Sequence, residues 1–187
     1  CFERVSPFDV YPSVDSSNCQ DGSNLIEHIR YSRRDLYDLI GVDGYDEKAI
    51  RAALKDYGQG GLKHWMWNEG ERNKLENKQH AFFSDDMTID GLHYWGSAQG
   101  QQLLQWGVPT NQVEDILAEY EVDAILIGNH VIRCVINDDP LNRRPYCSAS
   151  YQNTPGSFWG KAVPELMSDI EDMCNSTARA LQNNMAF

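Results

Sequence analysis

The sequence predicts an α+β fold with mixed, mainly antiparallel strands, several short helices and one long C-terminal helix. Two β-branched runs, residues 122–127 and 130–136, flank the turn pair Gly128-Asn129, as in a tight β-hairpin. From Val163 onward, apolar residues recur at the three-and-four spacing of one helical face. Strand and helix signals follow one another without the regular alternation of a parallel sheet, which favours α+β.

The N-terminal part of the chain predicts an edge strand followed by an inner strand. Residues 2–14 contain Pro7 and Pro12, which suit an extended segment at a sheet edge better than a helix. Turn residues then lead into residues 25–31, which we predict to form a strand.

Two helices are expected next. Ser32, with Asp35 three residues later, matches a capping box at the start of a short helix that ends at Gly41. A second helix, residues 46–57, closes at Gly58 and places these apolar residues on one side: Ile50, Ala53, Leu54 and Tyr57.

The middle of the chain predicts a loop and further short elements. Residues 60–79 are first rich in glycine and then mixed in charge, which indicates a mobile loop or an insertion. Residues 81–83 and 88–95 predict strands, and a short amphipathic piece follows around Leu103.

Two more elements are expected before the C-terminal helix. Pro109 begins a predicted helix that contains Val113, Ile116 and Leu117. Residues 146–151 predict one more strand.

The C-terminal helix carries the clearest long pattern in the sequence. Pro164 suits the first turn, Glu165 and Asp169 place negative charge near the positive end of the helix dipole, and Arg179 lies near the other end. We expect one buried face and one wet, acidic face, in a single rod from about residue 163 to at least residue 181. The chain opens without Met and stops within the helical pattern, so we expect it to be a fragment of a longer protein.

Composition excludes several classes of protein. A chain of 187 residues with 41% hydrophobic residues can bury one good core. Its net charge of −12 argues against a protein that wraps nucleic acid by neutralising phosphates. No apolar run approaches the roughly 20 residues needed to cross a bilayer, so we expect a soluble protein without a membrane span.

The five cysteines are scattered, odd in number and free of any C-x-x-C pair. This usage predicts reduced thiols rather than disulfides or a metal site.

Motifs for catalysis are weak. The sequence contains no Gly-rich phosphate loop, G-x-S-x-G elbow or H-E-x-x-H pair. Cys134 and Cys147 near His130 allow a nucleophile with its base, but core cysteine is the favoured interpretation. The dispersed histidines are more typical of partly buried or surface residues than of ligands: His28, His64, His80, His93 and His130.

Two acidic pairs and one basic pair have alternative interpretations. Asp85-Asp86 and Asp138-Asp139 allow a hard cation, but they lie beside Thr88 and Pro140, where Asp is typical of turns. Arg143-Arg144 allows contact with phosphate or with an acidic face, although two loop arginines are usually solvated.

A series of short motifs runs through the second half of the chain. It comprises Ile132-Arg133-Cys134, Asn137-Asp138-Asp139-Pro140, Arg144-Pro145-Tyr146, Phe158-Trp159-Gly160-Lys161-Ala162-Val163-Pro164, Asp169-Ile170, Asn175 and Arg179-Ala180-Leu181. Together these motifs resemble the tailed-bacteriophage portal protein, specifically the podovirus-type head-to-tail connector. In that family a strand-rich stretch reaches an Arg-Pro-Tyr corner, and a glycine after aromatics opens a long helix with a spaced Asp, Asn and Arg.

The resemblance implies an architecture and a role. Residues 1–155 would form a wing-like α+β domain, and residues 156–187 would begin the stem helix. Portal proteins form a homo-oligomeric ring, usually of twelve copies, at one capsid vertex. Double-stranded DNA passes through the ring during packaging and ejection without sequence-specific binding, and no bond is made or broken.

The same resemblance implies partners, location and contact residues. It implies no enzymatic activity and no cofactor; the partners are the terminase, a head-completion or adaptor protein and the coat protein. The protein would lie in the virion after assembly in the host cytoplasm, and an acidic wall suits a conduit through which DNA slides. The stem-helix motif and its subunit contacts would comprise Trp159, Gly160, Pro164, Leu166, Asp169, Ile170, Met173, Asn175, Arg179 and Leu181.

Two alternatives stay open. One is a metal-dependent hydrolase that uses Asp138, Asp139 and His130. The other is a monomeric protein-binding module whose wet helix face docks a partner. The stem interpretation predicts that Leu181 and Met185 are exposed in one chain or covered by another copy, whereas a self-contained module buries them within its own chain.

Overall fold

The computed structural model describes residues 3–57, 75 and 88–185. In that part of the chain the strands form one antiparallel sheet: β1 (Val10–Pro12), β2 (Asn24–Ser32), β3 (Thr88–Gln99), β4 (Glu119–Ile127) and β5 (His130–Ile136). The strands are neighbours in chain order. The α-helices are α1 (Arg33–Asp38), α2 (Glu47–Tyr57), α3 (Gly100–Gln105) and α4 (Val163–Met185), and short 3₁₀ turns occupy Pro7–Asp9 and Thr110–Gln112. The predicted α+β class is confirmed.

Some predictions fall on the rest of the chain. The loop at residues 60–79, apart from residue 75, and the strand at residues 81–83 lie outside the described residues. The same holds for Gly58, His64, His80 and the Asp85-Asp86 pair.

The predicted β4–β5 hairpin is confirmed. Ile127 pairs with His130 across the two-residue turn, and Gly128 has a φ of +57°, a conformation that favours glycine. A Cβ atom at Gly128 would also lie 2.5 Å from the Tyr57 ring of α2. Glycine therefore satisfies both the turn and the close approach of α2.

The start of α1 is confirmed in detail. The Ser32 hydroxyl accepts from the Asp35 N–H at 3.2 Å, and the Asp35 carboxylate accepts from the Ser32 N–H at 3.0 Å. These two bonds form the predicted capping box, which satisfies two N–H groups that a helix start leaves without partners.

Each face of the sheet carries its own core. On one face α1 and α2 cover a cluster of side chains that are at most 1% exposed: Leu36, Ile50, Ile89, Ile127 and Ile132. On the other face α3 and the segment after it cover a second cluster: Ala98, Leu103, Val108, Val113 and Val122. The sheet is therefore buried on both sides along part of its length.

The predicted helix after Pro109 is wrong. Only a 3₁₀ turn forms, at Thr110–Gln112, and Leu117 is 81% exposed. The Asp115 carboxylate accepts from the Leu117 N–H, and the carbonyls of Ile116 and Ala118 accept from the first residues of α3. Because this N–H group and these carbonyls are already bonded to a side chain and to α3, they cannot form the backbone hydrogen bonds of a helix.

Strand β3 is longer than expected, because it continues through Gly96 to Gln99 rather than stopping at residue 95. A Cβ atom at Gly96 would lie 2.6 Å from the Ser23 carbonyl oxygen. This glycine allows close approach of the neighbouring backbone and does not end the strand.

We expect Ile50→Ala to lower the free energy of unfolding by roughly 2–5 kcal/mol, because it opens a cavity where α2 meets the sheet. Urea unfolding at neutral pH measures the change. Leu117→Ala, at a side chain that is 81% exposed, is the matched control and should change stability by less than about 0.5 kcal/mol. Equal losses in the two variants would contradict this assignment of the core.

Candidate functional site

The segment between β5 and α4 contains the corner Arg144-Pro145-Tyr146, which is anchored to the sheet. Arg144 is only 6% exposed. Its Nε donates to the Glu121 carboxylate at 2.6 Å, and its Nη2 donates to the Gly22 carbonyl at 2.9 Å. A buried guanidinium needs such partners to offset its lost hydration. The corner is therefore fixed to β4 and to the loop before β2.

Gln20 holds the backbone of this corner. Its carboxamide oxygen accepts from the Arg144 N–H at 2.9 Å, and its Nε2 donates to the carbonyls of Arg144 and Tyr146, each at 2.9 Å. One side chain thus supplies the bonds that a neighbouring strand would otherwise supply. The predicted strand at residues 146–151 is wrong, because this part of the chain is bonded to a side chain rather than to a sheet edge.

Tyr146 joins a second polar cluster on the same face of the sheet. Its hydroxyl donates to Glu27 of β2 and lies 3.5 Å from Nδ1 of His93 on β3. Nε2 of His93 is 2.6 Å from Asp123 of β4, and Arg133 of β5 donates to the same carboxylate at 2.9 Å. Four strands and the corner therefore meet in one continuous network.

Protonation states in this cluster follow from its surroundings. Burial by itself raises the pKa of Asp123, but the hydrogen bond and charge of His93, together with Arg133, lower it below its ordinary value of 3.8. Burial and the bond to Glu27 raise the pKa of Tyr146, so the phenol stays protonated and donates. The cluster is thus an ion-paired anchor rather than a set of activated nucleophiles.

The connector between the corner and α4 is closed by an antiparallel bridge. The N–H groups of Gln152 and Lys161 each donate to the other residue's carbonyl, at 3.2 and 2.9 Å. A Cβ atom at Gly160 would lie 2.5 Å from the Gln152 carbonyl oxygen and would overlap Ser150. Gly160, which the sequence singled out as the start of the helix motif, is therefore needed for this closure.

Helix α4 confirms the predicted unbroken rod, since it runs from Val163 to Met185, about 34 Å at 1.5 Å per residue. None of its residues is buried. The exposed fraction of its large apolar side chains goes from 39% at Val163 to 85% at Met185. The predicted buried face is therefore wrong for a single chain. The periodicity defines an apolar stripe, but no element of the described chain covers it.

The predicted contact residues divide between the connector and α4. Trp159 is 48% exposed and packs edge-on against Phe158, with ring centroids 4.8 Å apart. Gly160 lies in the bridge and Pro164 is the second residue of α4. The remaining residues are exposed positions of α4: Leu166, Asp169, Ile170, Met173, Asn175, Arg179 and Leu181.

The residues proposed for a hydrolase do not converge. Asp139 pairs with the exposed Arg143 at 3.0 Å, and His130 pairs with Asp56 of α2 at 2.9 Å. Among the described residues, no three His, Cys, Asp or Glu side chains are placed to hold a metal ion. Burial raises the pKa of the Cys134 thiol to about 11, which keeps it neutral.

The described histidines lie beside carboxylates, and the described cysteines are not joined in disulfides. Each described histidine contacts at least one carboxylate: His28 with Asp9 and Asp90, His93 with Asp123, and His130 with Asp56. The described cysteines are free thiols: Cys19, Cys134, Cys147 and Cys174. Cys147 is exposed, so the interpretation as core cysteine is wrong for that residue, and Cys134 is only partly buried.

Sequence reasoning missed the anchor of the corner. Arg144 was expected to be solvated, and that expectation is wrong. One signal was present in the sequence, because Asp123 lies within an apolar strand, where a buried carboxylate needs a partner. Its partners, His93 and Arg133, come from two other strands, so no local spacing reveals them.

No protein-family model matches the chain, and no curated protein matches it. Within the part of the chain that the structure describes, no helix combines the length and apolar character needed to cross a membrane.

We expect Asp123→Asn to lower the free energy of unfolding by roughly 1.5–3 kcal/mol at pH 7, because it removes the charged acceptor shared by His93 and Arg133. The folded-state pKa of Asp123 lies below 3.8, so this contribution is present above that pH and is lost as the pH falls through the folded-state pKa. Urea unfolding between pH 7 and pH 3 measures the difference.

Asp138→Asn is the control for this prediction, because Asp138 is exposed and lies outside the cluster. It should leave stability unchanged across the same range. If the loss of unfolding free energy caused by Asp123→Asn stays constant down to pH 3, the ion-paired anchor is contradicted.

We expect Gly160→Ala to open the bridge of the connector, because the added Cβ overlaps Ser150 and the Gln152 carbonyl. The readout is amide hydrogen exchange at Gln152 and Lys161, which should lose protection while the sheet amides keep theirs. Thr154→Ala, in the same connector, adds no atoms and should leave exchange unchanged. Wild-type protection in Gly160→Ala would refute the close approach.

Proposed function

We propose that this chain is a structural subunit of a portal ring, the head-to-tail connector of a tailed bacteriophage, and not an enzyme. The observation that carries the proposal is the exposed apolar stripe of α4, a 23-residue helix in which no residue is buried. The stripe comprises Val163, Leu166, Met167, Ile170, Met173, Leu181 and Met185. It coincides with the segment whose motifs resemble a portal stem.

Leaving this apolar stripe in contact with water is unfavourable. Fully burying a Leu, Ile or Met side chain contributes about 1.5–3 kcal/mol, and chains rarely leave large continuous apolar patches uncovered. The described sheet domain already has two covered cores and does not use the stripe. Neighbouring stem helices from other copies would cover it in the ring.

The anchored corner supports the same proposal. If α4 is to pack against other copies in a ring, its starting point relative to the sheet must be fixed. The bonds of Arg144, Gln20 and Tyr146 hold the corner from which the connector departs. In the proposed portal this corner joins the wing to the stem.

The charge of the chain suits a conduit for DNA. A net charge of −12 lacks the excess of Lys and Arg that binds phosphates through counterion release. DNA would pass the ring without being held. In this proposal the terminase, an adaptor protein and the coat protein are the partners, and the virion vertex is the location.

The exposed end of α4 disfavours a self-contained binding module. Such a module would bury Leu181 and Met185 in its own chain, but their side chains are 58% and 85% exposed. This end of α4 needs another molecule, and further copies of the same chain satisfy the need with the fewest assumptions.

We expect Ile170→Asp combined with Met173→Asp to abolish self-association without changing the melting temperature, because both side chains are exposed in the single chain. Sedimentation velocity over a range of concentrations measures the association, and electron microscopy shows whether the assemblies are rings. Gln182→Asp adds negative charge to the opposite arc of α4 and is the matched control, which should assemble normally.

Two results would contradict the proposed function. One is a wild-type chain that stays monomeric at every concentration, and the other is normal assembly of the double variant. Mass spectrometry of purified phage heads gives an independent test, since a portal subunit must be present in them.

A further inference from the structure

A basic groove lies between α1 and α2. It is an open depression with a volume of about 730 Å³. Four cationic side chains line it: Arg33, Arg34, Arg51 and Lys55. They are a quarter of the 16 Lys and Arg residues of a strongly acidic chain. We name this feature the α1–α2 groove.

The cations of the groove are only partly neutralised. Arg34 is 3.8 Å from Asp38 and Arg51 is 2.6 Å from Glu47, both as exposed pairs one helical turn apart. Exposed pairs of this kind contribute little to stability. Within the described residues, Arg33 and Lys55 form no ion pair. The groove therefore keeps a positive potential that is available to an anionic partner.

The floor of the groove is apolar. It is formed by Tyr37, which is 67% exposed, together with Ile40 and Leu54, which are partly buried against the core. A partner that fits must present apolar side chains flanked by carboxylates. This is the pattern of an amphipathic acidic helix seated in a groove.

The first half of α4 has this pattern. Glu165 and Asp169 are one turn apart, and they border Leu166 and Ile170, which are also one turn apart on the adjoining arc. All four residues are exposed. Arg179 is the only basic residue within α4. The carboxylates and the neighbouring apolar residues thus form two parallel rows.

The spacing of charges on the two surfaces agrees. Arg51 and Lys55 are four residues apart on α2, as Glu165 and Asp169 are on α4. Two helices lying side by side can therefore align two cations with two carboxylates while Leu54 meets the apolar row. Of these two cations, Arg51 also pairs with the exposed Glu47 of its own helix, whereas Lys55 has no ion pair among the described residues.

We infer that the α1–α2 groove receives the acidic flank of α4 from a neighbouring copy of this chain. The inference rests on the proposed function and adds a specific contact between neighbouring copies in the ring. The groove and the α4 flank are different surfaces, so their contact is head-to-tail, and head-to-tail contacts generate a ring when the rotation closes. The remaining part of the α4 stripe stays available for packing against other stems.

Charge reversal on each surface tests the contact. The groove variant is Arg33→Glu with Lys55→Glu, and the helix variant is Glu165→Lys with Asp169→Lys. Each variant alone places like charges together and should raise the dissociation constant of self-association about tenfold or more. An equimolar mixture of the two variants should regain association, because each groove then meets a helix of opposite charge.

Matched controls use charges on the same helices but outside the contact. Lys48→Glu lies on α2 and does not line the groove, and Glu171→Lys lies on the other flank of α4. Both should associate like the wild type. Unchanged melting temperatures in every variant establish that folding is not the cause of any loss.

Three results would overturn the inference. They are normal association of either reversal variant, failure of the mixture to regain association, and weaker binding of a double-stranded DNA fragment by a groove variant that still assembles normally. The last result would make the groove an anion site for nucleic acid. If the Ile170 and Met173 variant blocks assembly while the charge reversals do not, the portal proposal stands and this contact is wrong. A wild-type chain that never associates contradicts both.

Discussion

The ion pair between the buried Arg144 and the partly buried Glu121 is the interaction on which the C-terminal third of the structure depends. A guanidinium that is 6% exposed is tolerable only because a carboxylate and backbone carbonyls surround it. Gln20 completes the arrangement by bonding the backbone on both sides of Pro145. Removing one partner would leave a buried charge without compensation, which costs far more than the pair itself contributes. The place at which the chain leaves the sheet is therefore determined by polar contacts and not by apolar packing.

Beyond the corner the chain makes few contacts with the sheet. The connector is closed by one two-bond bridge, and α4 buries none of its residues. In water a helix is stabilised mainly by packing of its apolar face, and no element of the described chain covers this face of α4. Amphipathic spacing predicts an apolar face, but it does not indicate which molecule covers that face. The proposed portal ring is consistent with this division between an anchored sheet and an uncovered helix, because in the ring other copies would cover the stripe.

Positive and negative charge are concentrated on different surfaces of the chain. The chain as a whole is strongly acidic, yet a quarter of its cations line the groove between two short helices. The carboxylates of the first turns of α4 have the complementary sign and the same one-turn spacing. Complementary charges of this kind favour one register and one partner order more than they add affinity. The apolar stripe would supply most of the association energy, and the charges would select the neighbour.

The sequence by itself determined the features that depend on neighbouring residues. The hairpin at Gly128, the capping box of Ser32 and Asp35, and the full length of α4 follow from turn chemistry, capping and periodicity, because each is governed by residues a few positions apart. Only the tertiary structure decided the rest. The carbonyls of Ile116 and Ala118 accept from α3 instead of from a helix of their own, and Gln20 takes the place of a neighbouring strand at the corner. Arg144 can be buried because the Glu121 carboxylate accepts from its Nε. These contacts join residues that are far apart in the chain, and a buried polar group is satisfied by whichever partner the fold brings near.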